Sequence, residues 1–177
     1  MKGRPQPPMG LLRRLDALAR AAFPAVSTAL LMVLVSTPVG LPSALPAVTL
    51  GCVFFWSVFR PGTMGPPLCF LLGLLQDLLG FAPPGIAVLT LLLTHGLVLR
   101  IRRFLARQSF WVVWLVYAGV AAAAAALGFV LQAVLSWRLP ALAPALVQFA
   151  LSAGFYPGVA ALLTGMHKAM RRAEDLA

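Results

Sequence analysis

Six apolar segments separated by short breaks occupy most of the chain from residue 22 to residue 167. The segments are Ala22–Val39, Ala44–Phe59, Pro66–Phe81, Pro84–Leu99, Phe110–Leu135 and Pro144–His167. Hydrophobic residues make up 61% of the 177 residues and charged residues only 10%, against about 25% charged residues in a soluble domain. So few polar side chains cannot cover an apolar core in water. The sequence therefore predicts an all-α, polytopic membrane bundle of about six transmembrane helices.

The second and third segments are the least certain spans. A hydrocarbon core about 30 Å thick needs about 20 helical residues, and these two segments are shorter. They could instead form a re-entrant pair that the other helices shield from lipid. The breaks that separate the segments are Gly40 with Pro42, Arg60-Pro61-Gly62, Gly80 to Pro84, and Pro140 with Pro144.

The chain divides into a basic tail, a bundle and a second short tail. Residues 1–21 form the first tail, which ends in an amphipathic helix predicted to lie in the membrane interface from Leu11 to Phe23. Residues 22–167 form the six-span bundle, and residues 168–177 form the second tail. A cleaved signal peptide is the alternative for the N-terminal region, but the long basic start and the further spans favour an uncleaved first helix.

The 14 Lys and Arg residues give the orientation. With six spans and a cytoplasmic N-terminus, 13 of them fall on the cytoplasmic side and only Arg138 lies outside. This positive-inside pattern predicts that both termini are cytoplasmic. It also argues against nucleic-acid binding as the reason for the net charge of +10, because the cations flank apolar runs. Four tryptophans near the run ends are predicted to be interfacial anchors, and these are Trp56, Trp111, Trp114 and Trp137.

Catalytic sets, metal-ligand spacings and phosphate-binding loops are missing from the sequence. We therefore expect neither an enzyme nor a cofactor or metal site. Cys52 and Cys69 fall in apolar runs and are predicted to be small buried residues rather than a disulfide. His95 is expected either to bond to a neighbouring helix or to extend toward the cytoplasmic interface, rather than to form a proton relay with Asp77.

Asp77 is the only acidic residue inside the apolar part of the chain. A carboxylate in a membrane helix is costly, which makes it a functional or architectural candidate. Counting from the run ends places it in one outer layer with Gln76, Gln132 and Gln148, and Arg138 lies in the outer loop between the last two. Arg138 is the first-choice partner for the carboxylate. The layer is either structural, fixing helix register, or a pocket or docking site for a partner helix.

Two further surfaces stand out. Small residues that allow helices to approach closely are Gly119, Ala123, Gly154 and Gly158, and Pro157 lies between the last two. Internal packing is favoured over a dimer interface for them, and Pro157 should free the carbonyl of Ala153. The second surface is an arginine cluster of Arg100, Arg102, Arg103 and Arg107, which is either a topology signal or a contact for lipid or a partner.

The motifs together resemble the MreD family, in its alphaproteobacterial form. They are GLLQDLLGFAPPG from Gly73, RIRRFLARQSFWVVW from Arg100, VQF from Val147 and FYPG from Phe155. The resemblance covers about Phe70 to Arg172. The family's Gly-x-Pro-x-Gly turn is altered here to Gly80-Phe81-Ala82-Pro83-Pro84-Gly85.

The resemblance implies an inner-membrane scaffold of the cell-elongation machinery that organises lateral peptidoglycan synthesis and rod shape. Implied partners are the single-span protein MreC, a RodA-type glycosyltransferase, a class B penicillin-binding protein and, directly or indirectly, the MreB filament. The implied fold is similar to the S-components of vitamin transporters. A small-molecule-binding transporter subunit is therefore the alternative function, but short outer loops and few polar groups favour the scaffold.

Overall fold

The computed structural model describes residues 11–36, 44–80, 83–137 and 139–175, with side chains from Ala22 to Lys168 within those ranges. Six helices occupy these residues, which confirms the predicted all-α membrane bundle. They are α1 (Leu11–Ser36), α2 (Ala44–Phe59), α3 (Pro66–Leu79), α4 (Ile86–Leu105), α5 (Phe110–Ser136) and α6 (Leu142–Asp175). Arg138, the tail residues 1–10, the Gly40–Pro42 break and the turn residues Phe81 and Ala82 lie outside the described residues.

The first helix is continuous across the expected boundary between tail and bundle. α1 runs from Leu11 to Ser36 and contains Pro24, so the predicted interfacial helix and the first apolar segment form a single element. Ser27 and Thr28 donate their hydroxyl hydrogens to the carbonyl of Pro24 at 3.0 and 2.7 Å. These buried hydroxyls are thus satisfied within their own helix turn, as is usual for Ser and Thr in helices.

α2 is the centre of the bundle. It packs against each of the other five helices, and every residue from Ala44 to Val58 except Pro46 is buried. A helix that is apolar on all sides belongs in a core, and its neighbours shield a length of about 24 Å that would not span a bilayer alone. The prediction that Trp56 is an interfacial anchor is wrong, because its side chain is 0% exposed and lies edge-on to Phe23 and Phe55.

Aromatic side chains join α2 to α5 and α6. Tyr117 of α5 stacks on Tyr156 of α6 with ring centroids 4.0 Å apart, and Phe54 of α2 meets both rings edge-on. Gly51 lies beside this group, since a Cβ there would be in ordinary contact with the Tyr117 hydroxyl oxygen at 3.5 Å. Stacked and edge-on ring pairs stabilise beyond their buried area, so this cluster fixes how α5 and α6 pack on the central helix.

Two contacts place the C-terminal end of α2 beside the middle of α4 and beside the C-terminal part of α6. Ser57 near the end of α2 bonds to His95 of α4, and the ring of Trp56 lies 6.4 Å from that of His167 of α6. Arg60 and Lys168, which lie just beyond these contacts, therefore share one end of the bundle with the arginines of α4. We call this end the basic end. The α3–α4 connection lies at the opposite end, because α4 runs about 30 Å from its first residue to its last.

The outer helices expose most of their apolar surface. α5 and the Leu142–Lys168 part of α6 are long and apolar enough to cross a membrane, and only 22% of the most apolar 18-residue window of each is buried. Apolar side chains that the bundle leaves exposed are those that lipid would cover.

Candidate functional site

The Asp77 carboxylate holds the start of α4. Oδ2 accepts a hydrogen bond from the backbone N–H of Gly85 at 2.7 Å, and Oδ1 accepts one from the N–H of Ala87 at 3.0 Å. The first N–H groups of a helix lack partners within the helix and carry partial positive charge. Asp77, which is only 8% exposed, therefore acts as a helix cap supplied by the preceding helix.

The local sequence makes this geometry possible. Gly85 has φ of +96°, a left-handed conformation that glycine adopts without steric cost, and it turns the chain into α4. Gly73, one turn before Asp77, has no side chain where α4 comes closest: a Cβ there would lie 2.5 Å from Cα of Val88. A second helix therefore comes close beside the carboxylate, and that helix is α4.

The structure does not join the predicted polar layer through hydrogen bonds to Asp77. Gln132 on α5 and Gln148 on α6 are half-buried, and neither is a hydrogen-bond partner of Asp77. Gln76 is half-buried beside Asp77, and its Oε1 has no hydrogen-bond partner among the described residues. α3 packs on α4, α1 and α2, whereas α6 packs on α2 and α5. The contacts of Asp77 thus support the structural interpretation of this residue, and a partner site built from the whole set stays a prediction.

The predicted bond from His95 to a neighbouring helix is confirmed. Its Nδ1 lies 2.8 Å from Oγ of Ser57, and both side chains are buried. This pair links α4 to α2 near the basic end. Buried polar pairs of this kind are common as interhelical hydrogen bonds in membrane bundles.

Pro157 leaves a carbonyl free, and Trp114 uses it. Proline has no N–H to donate to the residue four positions earlier, which here is Ala153. The indole N–H of Trp114 donates to the Ala153 carbonyl at 3.0 Å. The prediction that Pro157 frees this carbonyl is confirmed, and the freed group ties α6 to α5.

The small-residue surface faces outward. All five of its residues are exposed, namely Gly119, Ala123, Gly154, Pro157 and Gly158. A Cβ added at any of the three glycines would meet no atom within 4 Å. The interpretation as an internal packing surface is therefore wrong for the described bundle, and contact with another chain stays a prediction.

The arginines of α4 lie in and just after its last turns. Arg100, Arg103 and Arg107 are exposed and Arg102 is half-buried. The predicted end of the segment at Leu99 falls short, because α4 continues to Leu105. Arginine has high helix propensity, and a helix C-terminus favours cations. The arginines therefore stabilise the continuation of α4 beyond the end of the apolar run.

Cys52 and Cys69 are both buried free thiols, as predicted. Sequence reasoning missed the Tyr117–Tyr156–Phe54 cluster. The one available signal was a pair of tyrosines, the only two in the chain, each in an apolar segment where its hydroxyl needs a partner. The Tyr117 hydroxyl donates to the carbonyl of Ala47 at 3.4 Å.

Comparison with known families places most of the chain in one of them. The profile described as rod shape-determining protein MreD matches residues 19–165, well over half of the chain. The match includes all of α3 and α4, the two helices that Asp77 joins, which we call the Asp77 hairpin. Comparisons with curated proteins and with solved structures give no significant match. The chain belongs to the MreD family of rod shape-determining proteins.

Proposed function

We propose that this MreD-family protein is a non-enzymatic scaffold of the cell-elongation complex in the bacterial inner membrane. It binds the transmembrane helix of a single-span MreC-type protein and so helps to assemble a RodA-type glycosyltransferase with its class B penicillin-binding protein. The MreB filament is attached directly or through these partners. Membership of the family supports the shape-determining role in the membrane. The surface of α6 supports the contact with a partner helix.

The observation that carries the proposal is a line of small residues on the outward side of α6. With 3.6 residues per turn, Gly154, Gly158, Ala161 and Gly165 fall on one face, and all four are exposed. The buried residues Ser152, Tyr156 and Leu163 lie on the opposite face. The bundle therefore uses one side of α6 and leaves the small-residue side uncovered.

Such a surface suits a helix better than it suits lipid. Within a bilayer, helices associate through close van der Waals packing, which small residues four apart allow. A glycine inside a helix costs about 1 kcal/mol relative to alanine, so three exposed glycines contribute nothing to the stability of the bundle itself. A partner helix that approaches closely would recover that cost.

The contacts of Asp77 also favour partner binding through exposed helix faces rather than through this carboxylate. Both carboxylate oxygens accept hydrogen bonds from backbone N–H groups at the start of α4. The carboxylate therefore already joins α3 to α4. Partner recognition then falls to the exposed helix faces. The outward faces of α5 and α6 offer such surfaces, since only 22% of the apolar window of each is buried.

Copurification of an MreC-type partner tests the proposal. Gly154→Leu and Gly158→Leu, singly and together, should reduce partner recovery because a leucine side chain separates the two helices. Gly96→Leu is the matched control, since Gly96 is an exposed helical glycine on α4 whose added Cβ also meets nothing within 4 Å. Cells that carry the double variant should lose rod shape, whereas cells that carry the control should keep it.

Unchanged partner recovery in the double variant, with thermal stability equal to that of the parent, would rule out this face. A turnover reaction of the purified protein that one substitution abolishes would contradict the non-enzymatic role.

A further inference from the structure

The outward face of α4 combines an apolar stripe with cations at its end. Leu89, Leu93 and Leu97 follow one another at four-residue spacing and are 40%, 52% and 46% exposed. Arg100 and Arg103 continue the same face and are exposed. Residues three and four apart are neighbours on a helix surface, so this face leads directly from hydrocarbon-like side chains to two guanidinium groups.

The two guanidinium groups are free to bind an anion. Among the described side chains neither has a hydrogen-bond or ion-pair partner. The one acidic side chain of the bundle, Asp77, lies at the opposite end and is bonded to the start of α4. Arginine pairs with phosphate through two parallel hydrogen bonds, so unpartnered arginines at the end of an apolar stripe match a phosphodiester headgroup.

We propose that this face of α4 binds an anionic phospholipid, with the headgroup phosphate at Arg100 and Arg103 and an acyl chain along Leu89, Leu93 and Leu97. The lengths agree. Leu89 to Arg100 spans about 16 Å at 1.5 Å per residue, close to half of a hydrocarbon core of about 30 Å.

A lipid fits this face better than a partner helix does. The stripe carries three large leucines, whereas close helix contact in a membrane favours small residues such as those on α6. Exposed aromatic residues lie at the same end, with Phe104 56% and Trp111 72% exposed. Aromatic side chains of this kind sit at the headgroup level of a membrane.

Trp111 gives a spectroscopic test in the full-length protein. In a Trp137→Phe background the exposed indole at the far end of α5 is removed, and Trp56 is 0% exposed and shielded from the lipid. The half-buried Trp114 lies 6.2 Å from Trp111 and therefore reports on the same end of α5. The protein is reconstituted in phosphatidylcholine vesicles that contain increasing fractions of phosphatidylglycerol, with bromine on the acyl chains of one lipid or the other. Quenching of tryptophan fluorescence then reports which lipid lies beside α4 and α5.

We expect brominated phosphatidylglycerol to compete for the site roughly fivefold or more better than phosphatidylcholine. Arg100→Gln with Arg103→Gln should bring the two lipids close to equality. Arg100→Lys with Arg103→Lys should keep part of the preference, because charge remains while the paired hydrogen bonds are lost. Lys168→Gln with Arg172→Gln is the matched control that removes two cations from α6 and should keep the full preference.

Equal quenching by the two lipids in the parent would overturn the site, and so would a preference that survives the glutamine substitutions. Loss of copurifying protein with unchanged lipid preference would assign the arginines to a protein contact and refute the lipid site. Arg100→Gln alone gives a milder variant should the double one fold poorly. The readout is independent of partner recovery by α6, so failure here leaves the scaffold proposal standing.

Discussion

Asp77 shows how one carboxylate can organise a helical hairpin in an apolar environment. The group is buried, yet each oxygen accepts a backbone hydrogen bond from the first turn of α4. Hydrogen bonds to a charged acceptor each contribute about 1.5–3 kcal/mol, and the helix dipole adds to them. The residue that sequence reasoning singled out by its cost is therefore stabilised by donors only eight and ten residues away.

Substitutions at Asp77 should lower stability in graded steps. Asp77→Leu removes both hydrogen bonds and should cost about 3–6 kcal/mol of unfolding free energy, whereas Asp77→Asn keeps one acceptor oxygen and should cost about half of that. Chemical unfolding of the purified protein in detergent measures both. Gln76→Leu is the neighbouring control and should have little effect, since Gln76 Oε1 has no partner among the described residues. Equal stability of the leucine variant and the parent would contradict the capping role.

Gly73 should not tolerate a side chain. A Cβ there would lie 2.5 Å from Cα and 2.9 Å from N of Val88, and backbone atoms cannot rotate away. We expect Gly73→Ala to destabilise the protein by about 1–3 kcal/mol, as overpacking does. Gly96→Ala, at an open position of α4, should instead be neutral or stabilising by up to about 1 kcal/mol. Thermal unfolding of the pair measures the difference, and equal midpoints would show that α3 and α4 do not meet at Gly73.

At the scale of elements, Pro157 and Trp114 form one unit across α5 and α6. The proline creates an unsatisfied carbonyl at Ala153, and the indole N–H satisfies it from the neighbouring helix. An unsatisfied buried acceptor costs about 1–3 kcal/mol. The hydrogen bond missing within α6 is thus replaced by a specific hydrogen bond between α5 and α6.

A double-mutant cycle should detect this coupling. Trp114→Phe should cost about 1–3 kcal/mol in the parent but less in a Pro157→Ala background, where the restored N–H of residue 157 can bond to Ala153. Unfolding free energies of the four proteins give the interaction energy. Additive costs, with no coupling between the two substitutions, would show that the freed carbonyl and the indole act independently.

At the scale of the whole molecule, the basic end collects the ends of three helices. The contacts Ser57–His95 and Trp56–His167 join the C-terminal end of α2 to the middle of α4 and to the C-terminal part of α6. Arg60, the arginines of α4 and Lys168 follow the contact residues Ser57, His95 and His167 in the chain. This arrangement agrees with the charge pattern from which both termini were predicted to lie in the cytoplasm.

Cysteine labelling tests that orientation. A cysteine at Ala106, exposed at the basic end, should react only with a reagent that reaches the cytoplasm, and one at Ala82 should react from outside. The native thiols give little background, because Cys52 and Cys69 are both 0% exposed. Labelling at the opposite side at either position would reverse or refute the proposed threading.

The chain's class and its helices follow from the sequence alone. Apolar content of this degree excludes a water-soluble domain, and Pro, Gly and Arg between the runs break helices locally. α2 accordingly begins and ends at the predicted residues, Ala44 and Phe59. The sequence also predicts effects that act within one helix turn. Pro157 has no N–H for the carbonyl of Ala153, and this carbonyl is indeed free to accept from another helix.

Only the tertiary structure decided which surfaces are inside. α2 was one of the two least certain spans, and it forms the core of the bundle. Trp56 is buried rather than interfacial, and Gly154 and Gly158 face outward. The physical reason is that lipid and protein interior are both apolar. Hydrophobic periodicity therefore does not distinguish the buried face of a membrane helix from its lipid face. The partner of Asp77 likewise depended on how closely α4 approaches Gly73, a distance set by the packing of two helices.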